Sequence, residues 1–310
     1  MERSRPRIIV GDLSAFRFGL TTGPRWSWRE AADEWARLDA ADAVDELWVV
    51  DHVAARNEGD RRFEAWSFLA GLAARTSRVR LGVLVSPITL RHPALLALAA
   101  ATVDEISAGR LEIGLGAGGG LAADAHVVEA PDLSPRERVE RLDDYAALVD
   151  AILRGEGDVT SGSYSTRGAA PRPSVQRPRP PITIAGDGMR VLEVVARRAD
   201  RWVSLGGAVD SAGARLRGRG AAIRHTARQN ARLDEILVSH GRRPDDVRRA
   251  VNASGSEPDP LSSAAAFEDF TLAYRSAGIT DLMLPLVPLE DARRATFEQI
   301  VGELMPRLKA

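Results

Sequence analysis

Short apolar segments alternate along the chain with longer segments whose apolar residues recur at helical spacing. Stretches such as EAWSFLAGLAART, PALLALAAATVDEISAG and PRERVERLDDYAALVDAILRG predict amphipathic helices. Eight apolar segments have the length and composition of buried strands: residues 16–20, 47–50, 79–85, 111–115, 182–185, 202–205, 247–253 and 281–286. Because strands that alternate with helices indicate βα units, and a closed parallel barrel needs eight of them, the pattern predicts an α/β fold, a (β/α)8 TIM barrel with insertions.

One region interrupts this alternation. Residues 155–181 are rich in Pro and Arg and lie between a predicted helix and a predicted strand. In a barrel, a connection from helix to strand belongs to the N-terminal face, away from the chemistry. We expect a small hairpin around Gly162 followed by an extended return, as a structural insertion within one domain of residues 1–310.

Charge and hydropathy narrow the classes of partner. The formal net charge is -1, and basic and acidic residues are mixed along the chain, which argues against a nucleic-acid binder. The longest apolar run, near residues 95–103, is about half the length of a membrane span. The first residues, MERSRPRIIV, lack the apolar stretch of a signal peptide. These observations predict a cytoplasmic protein that acts on a small molecule, with no nucleic-acid or membrane partner.

Two residue types set the available chemistry. The chain has no cysteine, which excludes disulfides, thiolate metal sites and a cysteine nucleophile. Lys309 is the only lysine and stands next to the C-terminal residue, so a Schiff-base enzyme is also excluded. No two histidines have the close spacing of a metal-binding helix, and we expect no metal site.

Polar residues follow the predicted strands at the end where barrel enzymes place their active sites. Asp51 and His52 come directly after the apolar run 47–50, and Ser86 follows the third strand. A single Asp-His pair can equally be a loop cap. Because several strand ends carry polar or glycine residues, we predict that Asp51 and His52 are catalytic.

Two glycine-containing turns follow other strands. Gly116 and Gly118 lie in EIGLGAGGG after the fourth strand, and Gly186, Asp187 and Gly188 join the fifth strand to a helix. Glycines permit close approach of a ligand to the backbone, and a helix N-terminus attracts anions. Asp187 adds a negative charge there, and its side chain has the alternative role of capping the helix.

The remaining histidines and the tryptophans have simpler interpretations. We expect His92 to cap a helix, His225 and His240 to be solvated, and His126 to be a possible second catalytic group in the fourth βα loop. The tryptophans are predicted to pack in the core, with the alternative that two of them line a substrate pocket. Those two are Trp26 and Trp28.

Several of these motifs also occur in one known family in the same order and spacing. The runs LWVVDH, EAWSFLAGLAARTSRVRLGVLVSPITLRHPALLALAAATVDEISAGRLEIGLGAG, ERVERLDDYAALVDAILRGEG and RPRPPITIAGDGMRVLEVVARRADRWVSLGG resemble the luciferase-like, flavin-dependent oxidoreductase superfamily. The resemblance extends from about residue 16 to the eighth strand. It implies a (β/α)8 barrel that binds FMN or the deazaflavin coenzyme F420 at the mouth of the barrel.

The resemblance also implies roles for individual residues. His52 and Asp51 match the polar pair beside the cofactor ring. The other cofactor-binding positions are Leu84, Val85 and Ser86 behind the ring, where family members often have a non-proline cis peptide, Gly116 and Gly118 in the fourth-strand loop, and Gly186, Asp187 and Gly188 on the phosphate side. F420 is favoured over FMN because replacement of Lys by Arg is typical of GC-rich actinobacterial genomes, where that coenzyme is common.

The chain also departs from the family. Gly119 stands where the deazaflavin-dependent sugar-phosphate dehydrogenases have a proton-transferring glutamate, which argues against that activity. The expected function is hydride transfer between F420, or reduced FMN, and a small organic substrate selected by loops 53–62 and 119–134. Three alternatives remain: an FMN-dependent monooxygenase with a separate flavin reductase, a flavin-binding barrel without turnover, and, if the resemblance misleads, a metal-free lyase or isomerase. The family often dimerises, so a homodimer is possible.

Overall fold

The computed structural model describes residues 16–23, 26–55, 60–118, 122–206 and 218–309. Eight parallel strands close into a barrel in the order β1-β10-β9-β8-β7-β4-β3-β2, and β5 and β6 form a separate hairpin. The strands are β1 Arg17–Thr22, β2 Glu46–Val49, β3 Arg80–Pro87, β4 Leu111–Gly116, β5 Val159–Ser161, β6 Tyr164–Thr166, β7 Ile182–Ala185, β8 Arg201–Ser204, β9 Arg248–Asn252 and β10 Asp281–Pro285.

Helices cover the outside of the barrel. They are α1 Trp28–Asp39, α2 Ala65–Ala73, α3 Pro93–Ile106, α4 Ala122–Val127, α5 Pro135–Leu153, α6 Met189–Arg198, α7 Arg219–Ser239, α8 Ala264–Ser276, α9 Arg294–Gln299 and α10 Met305–Lys309. A short 3₁₀ turn, Pro244–Asp246, precedes β9, and a π-helical turn, Ile300–Leu304, joins α9 to α10. The predicted TIM barrel is confirmed, and each of the eight predicted strands agrees with an observed one to within two residues at either end.

Helix starts follow from local capping chemistry. Ser27 and Ser134 each form a capping box with a glutamate three residues later, at the starts of α1 and α5. The His92 side chain accepts from the Ala94 amide and Pro93 occupies the first turn of α3, so the predicted capping role of His92 is confirmed.

Charged side chains from five strands fill part of the barrel interior. Arg201 on β8 pairs with Glu46, Glu112 and Asp281, and Arg248 on β9 also pairs with Asp281. These five residues, called the floor network below, are all buried. Buried charges are tolerated only when they are paired and hydrogen-bonded, so this network replaces an apolar filling of the barrel.

The third strand is irregular near its carboxyl end. Its register with β4 shifts between Val83 and Ser86, and the Leu84–Val85 peptide bond is cis. The cis bond agrees with the non-proline cis peptide that the resemblance implies for this segment. A Cβ on Gly114 would stand 2.1 Å from the Val83 carbonyl oxygen, and one on Gly116 would stand 2.5 Å from a Val85 methyl. The fourth-strand glycines Gly114 and Gly116 therefore accommodate the bulge of β3. This packing role accounts for both glycines without the approach of a ligand.

The predicted hairpin within residues 155–181 is confirmed by the pairing of β5 with β6 around Gly162. It packs on α5, where the Ser163 amide donates to Asp144 at 3.2 Å. The Tyr164 ring makes an edge contact with that of His92, which caps α3 just after the carboxyl end of β3. The hairpin therefore extends along the side of the barrel, beyond the N-terminal face predicted for it.

Among the residues that the structure describes, no helix is both long and apolar enough to cross a membrane.

Candidate active site

The parallel strands bring the predicted site residues to one rim. Pro87 pairs with Gly116 across β3 and β4, and Leu115 pairs with Ile184 across β4 and β7. Asp51 and His52 follow β2, which neighbours β3. The carboxyl ends of β2, β3, β4 and β7 therefore form one continuous edge of the barrel, as predicted.

His52 is held at this rim by a carboxylate from the fourth βα region. Its Nδ1 lies 2.9 Å from Oδ2 of Asp124 in α4. The other oxygen of Asp124 accepts the backbone amides of Val53 and Ala54, both at 2.7 Å. Burial alone would raise the pKa of Asp124, but the hydrogen bonds from the Ala54 amide, His52 and the Val53 amide hold it below its usual value.

Asp51 has different partners. Both of its carboxylate oxygens accept from the Arg91 guanidinium, and the Ser86 hydroxyl donates to it at 2.9 Å. The Trp66 indole in turn donates to the Ser86 oxygen at 2.9 Å, and Arg91 also pairs with Glu64. These bonds match the loop-capping alternative for Asp51. The bond to the His52 ring comes from Asp124.

A pocket opens beside His52, between the ends of β1 and β2 and the segment that leads into α2. Apolar and aromatic side chains dominate its wall, and Arg61 and Arg62 also contribute to it. Its other lining residues include Thr22, Trp26, Val49, Phe63 and Phe68. The Phe63 and Phe68 rings are stacked at 4.6 Å, which makes one wall flat. The alternative that Trp26 lines a pocket matches the structure, whereas Trp28 is half exposed and contacts Phe68 from outside.

The third-strand positions face different surroundings. Leu84 packs with Trp48 and Met283 inside the barrel, Val85 is partly buried beside this group, and Ser86 is engaged by Trp66 and Asp51. Ser86 therefore connects the strand end to the Asp51–Arg91 pair.

The turn from β7 to α6 has the features of an anion site. Gly186 has a φ of 142°, a region that side chains rarely occupy, and Gly188 is the N-cap of α6 without any side-chain capping bond. The alternative that Asp187 caps the helix is wrong, because its carboxylate accepts the Leu205 amide at 3.0 Å. Burial raises the pKa of Asp187. The amino end of α6 is thus uncapped by side chains, and the nearby carboxyl points elsewhere.

Gly118, in the fourth-strand loop, has a φ of 75°, and an added Cβ would stand 2.9 Å from the Thr89 hydroxyl. Gly119, on which the argument against a sugar-phosphate dehydrogenase depends, lies outside the described residues.

The remaining histidines were predicted with mixed success. His126 is exposed on α4, and Asp124, two residues earlier in the same helix, is the residue that meets His52. The prediction that His225 is solvated is wrong: its ring is buried, and Nε2 has no hydrogen-bond partner among the described residues. His240 ends α7 and contacts Glu193 at 2.9 Å on the surface.

The described part of the chain contains no group of three or more His, Cys, Asp or Glu side chains arranged to hold a metal ion.

Sequence reasoning missed Asp124 and Arg91. Asp124 lies 72 positions from His52 and belongs to a six-residue helix with little hydrophobic pattern. Arg91 could have been found from the sequence. The Asp51 carboxylate follows a buried strand and needs a cationic partner, and Arg91 follows the next strand along the chain.

The sequence model of the family described as luciferase-like monooxygenase matches residues 13–274. The chain is 31% identical over 166 residues to the F420-dependent glucose-6-phosphate dehydrogenase of Kineococcus radiotolerans, a match that covers 53% of this chain and 49% of that protein. It is 30% identical over 151 residues to the phthiodiolone/phenolphthiodiolone dimycocerosates ketoreductase of Mycobacterium kansasii, covering 47% and 40%. These matches span half or less of each relative's length.

Among solved structures, the fold is similar to the oxygenating constituent of 3,6-diketocamphane monooxygenase from Pseudomonas putida, a structure in complex with FMN. The TM-score is 0.71 at 14% identity, and the alignment covers 94% of this chain and 99% of that one. At this identity the likeness concerns the fold.

Proposed function

Because the chain belongs to the luciferase-like monooxygenase family, we propose that it is an oxidoreductase that uses coenzyme F420 for hydride transfer to or from a small organic substrate. One observation carries the proposal. His52 stands at the carboxyl rim of the barrel and lines the pocket, with one ring nitrogen held by a buried carboxylate. Barrel enzymes place their chemistry at this rim, and a partly exposed imidazole there is suited to proton transfer.

The choice of F420 is supported by the curated relatives. One relative at 31% identity is named as F420-dependent, and another at 30% identity is named as a ketoreductase. Both names describe reactions in which a carbon–oxygen centre changes oxidation state. Residue composition also favours F420. Lys309 is the only lysine, and replacement of Lys by Arg is typical of GC-rich actinobacterial genomes, where that coenzyme is common.

The residues at the rim fit a cofactor with an anionic tail. The amino end of α6 has no side-chain cap, so its backbone N–H groups and the helix dipole are available to a phosphate. A Cβ on Gly188 would meet only a Val191 methyl, at 3.9 Å, so the turn has space in front of the helix. Gly186, Gly188 and the strand ends near Ser86 and Gly116 are proposed to hold the cofactor, with Leu84 and Val85 behind the ring.

In this proposal the cofactor supplies the hydride exchange, and the protein positions the reactants and handles the proton. The aromatic wall formed by Phe63, Phe68 and Trp26 binds the apolar part of the substrate. His52 holds or releases the proton on the substrate oxygen. Asp51 acts through Arg91 and Ser86 by fixing the loop that carries His52.

A second candidate is an FMN-dependent monooxygenase that receives reduced flavin from a separate reductase. The description of the family and the FMN-bound structural neighbour favour it. The two candidates differ in the tail of the cofactor, because F420 carries a longer anionic tail that needs a second anchor beyond one phosphate site.

We propose that the protein is a homodimer and is cytoplasmic. Leu95, Leu98 and Ile106 form an exposed apolar stripe on α3, which supports an oligomeric contact. Light scattering on the purified protein distinguishes a dimer from a monomer.

Titration of the protein with F420 and with FMN, followed by fluorescence quenching, tests the proposal. We expect tighter binding of F420. Tighter binding of FMN, together with oxygen-dependent product formation when a flavin reductase is added, would favour the monooxygenase. Binding of either cofactor without turnover of any alcohol, ketone or aldehyde in a broad panel would favour the non-catalytic barrel.

A further inference from the structure

We propose that Asp124 is a positioning residue that fixes the tautomer of His52, placing the proton on Nδ1 and leaving Nε2 as the hydrogen-bond acceptor that faces the pocket. This inference rests on the proposed function for its chemical consequence. Its structural part concerns residues of this chain alone.

The carboxylate of Asp124 has a complete set of donors. Oδ1 accepts the Val53 and Ala54 amides at 2.7 Å, and Oδ2 lies 2.9 Å from Nδ1 of His52. Together these donors hold the pKa of this buried carboxyl below its usual value, so the group is ionised at neutral pH. An ionised carboxylate only accepts hydrogen bonds, and therefore Nδ1 of His52 must be the donor.

The second ring nitrogen is then the reactive one. The structure gives Nε2 of His52 no partner among the described residues, and the side chain is 22% exposed where it lines the pocket. A neutral imidazole with its proton on Nδ1 presents a lone pair at Nε2. Asp124 thereby determines that the ring nitrogen facing the pocket, Nε2 of His52, is a hydrogen-bond acceptor.

Other groups near His52 do not provide this function. The neighbouring carboxylate, Asp51, is occupied on both oxygens by Arg91 and Ser86. His126, on the same helix as Asp124, is exposed to solvent. Asp124 also binds two successive amides of the loop that carries His52, so one carboxylate fixes both the ring and its backbone.

An acceptor at Nε2 suits a substrate hydroxyl. When an alcohol is oxidised, its carbon loses hydride to the oxidised deazaflavin, its O–H proton passes to Nε2, and the C–O single bond becomes a carbonyl. In the reverse direction the protonated ring returns that proton to the oxygen of a ketone or aldehyde. The substrate class is therefore a secondary or primary alcohol, or the matching carbonyl compound, with an apolar or aromatic body that fits the Phe63–Phe68 wall.

Asp124→Asn tests the assignment because it is nearly isosteric and reverses the polarity of one bond. The Asn oxygen still accepts the Val53 and Ala54 amides, while its NH2 group faces Nδ1 and forces that nitrogen to accept. The ring proton then moves to Nε2. The ¹⁵N shifts of the neutral His52 ring report this change directly in the cofactor-free protein, with assignment by loss of the signals in His52→Ala.

We expect the wild-type neutral ring to be protonated on Nδ1 and the Asp124→Asn ring on Nε2. A wild-type ring protonated on Nε2, or a ring whose tautomer is the same in both proteins, would overturn the proposal. Asp33→Asn, on the exposed face of α1, is the matched control and should leave the His52 shifts unchanged. The wild-type spectrum alone decides the matter if Asp124→Asn does not fold.

Kinetics separate this inference from the proposed function. With an alcohol or ketone substrate found by screening, we expect Asp124→Asn to lower kcat by about 100-fold, the size of a general acid–base contribution, while the cofactor dissociation constant stays within about twofold. An unchanged kcat alongside a switched tautomer would overturn the catalytic part. Absence of any F420 binding by the wild type would instead contradict the proposed function and leave the tautomer result standing.

Discussion

The floor network and the rim site both contain buried carboxylates, but the residues that pair with these carboxylates differ in their exposure to solvent. In the floor network Glu46, Glu112 and Asp281 surround Arg201, and the whole group is buried. At the rim, Asp124 is buried in the same way, but its partner His52 is partly exposed and keeps one nitrogen without a partner in the described structure. A fully buried network of paired charges stabilises the barrel. A network that keeps one ring nitrogen without a partner is suited to bind a substrate and react with it.

The rim itself repeats this contrast. Asp51 and Arg91 form a two-point ion pair, and the Arg91 guanidinium also reaches Glu64. Asp124 and His52 lie close by, yet their hydrogen bond leaves the second ring nitrogen of His52 without a partner in the described structure. Asp51 and His52 are adjacent in sequence but belong to different networks. The network of Asp51 is structural, and that of His52 is suited to reaction.

The largest effect is expected from breaking the floor network with Arg201→Met. The substitution leaves three buried carboxylates without their shared cation, and breaking one buried pair typically costs about 3–5 kcal/mol. Urea unfolding should show a loss of this order or an insoluble protein. Arg136→Met, which removes a solvent-exposed pair with Glu140, is the control and should leave the unfolding midpoint unchanged. Equal stability of the two variants would contradict the structural role of the network.

Acid unfolding sharpens the same point. Burial alone would raise the pKa of Glu46, but the Arg201 guanidinium outweighs it and lowers that pKa from 4.5 to about 2. A lowered folded-state pKa stabilises the protein above pH 4.5, and this contribution is lost as the pH falls from 4.5 toward 2. Unfolding monitored against pH should therefore show a loss of stability in that window. Replacement of Glu46 by Gln should remove this part of the pH dependence, and a retained dependence would assign it to other carboxyls.

At the rim, His52→Ala should damage turnover more than folding. Loss of a general acid–base group typically lowers kcat by about 10²–10⁴-fold, while truncation of a partly exposed side chain costs little stability. Steady-state kinetics and thermal unfolding of the same preparation provide the two readouts. His240→Ala, at the end of α7, is the matched control. Full turnover by His52→Ala would show that the Asp51–His52 pair only caps its loop.

Asp51→Asn should have the opposite profile. The change removes the charge that two Arg91 nitrogens contact, and a hydrogen bond to a charged group typically contributes about 1.5–3 kcal/mol. We expect a stability loss of that order in urea and a smaller fall in kcat than for His52→Ala. A large fall in kcat at unchanged stability would restore the catalytic role that the sequence suggested for Asp51.

The smallest effect concerns the amino end of α6. Gly188→Asp adds a capping carboxylate where the backbone, with φ -70° and ψ 142°, already has N-cap geometry. Because Gly is itself a favourable N-cap residue, the change should stabilise the protein by only about 0.3 kcal/mol. It should weaken F420 binding by about tenfold, because the new charge repels an anionic tail. Gly188→Asn caps without the charge and should weaken binding less. Unchanged F420 affinity in Gly188→Asp would place the tail elsewhere.

The barrel was predictable because its signal is local. Apolar strand segments and helical periodicity recur in every βα unit, so errors were confined to element ends. The rim location of His52, Ser86 and Gly186 followed from the rule that parallel strands share one carboxyl face.

The pairings within the site were less predictable because they depend on tertiary contacts between distant segments. Asp124 meets His52 across 72 residues from a short helix in a glycine-rich loop. His225 was misjudged from the polar composition of α7. Its spacing from Gln229 and Leu233, which are also buried, places all three on the inner face of that helix, and helical periodicity would have revealed it.

A crystal structure of the protein with F420 tests the central claim most directly. The account predicts the deazaflavin ring at the carboxyl rim beside His52 and the pocket, with a phosphate of the tail at the backbone N–H groups that open α6. A ring bound away from His52, or a tail that avoids the Gly186–Gly188 turn, would contradict it.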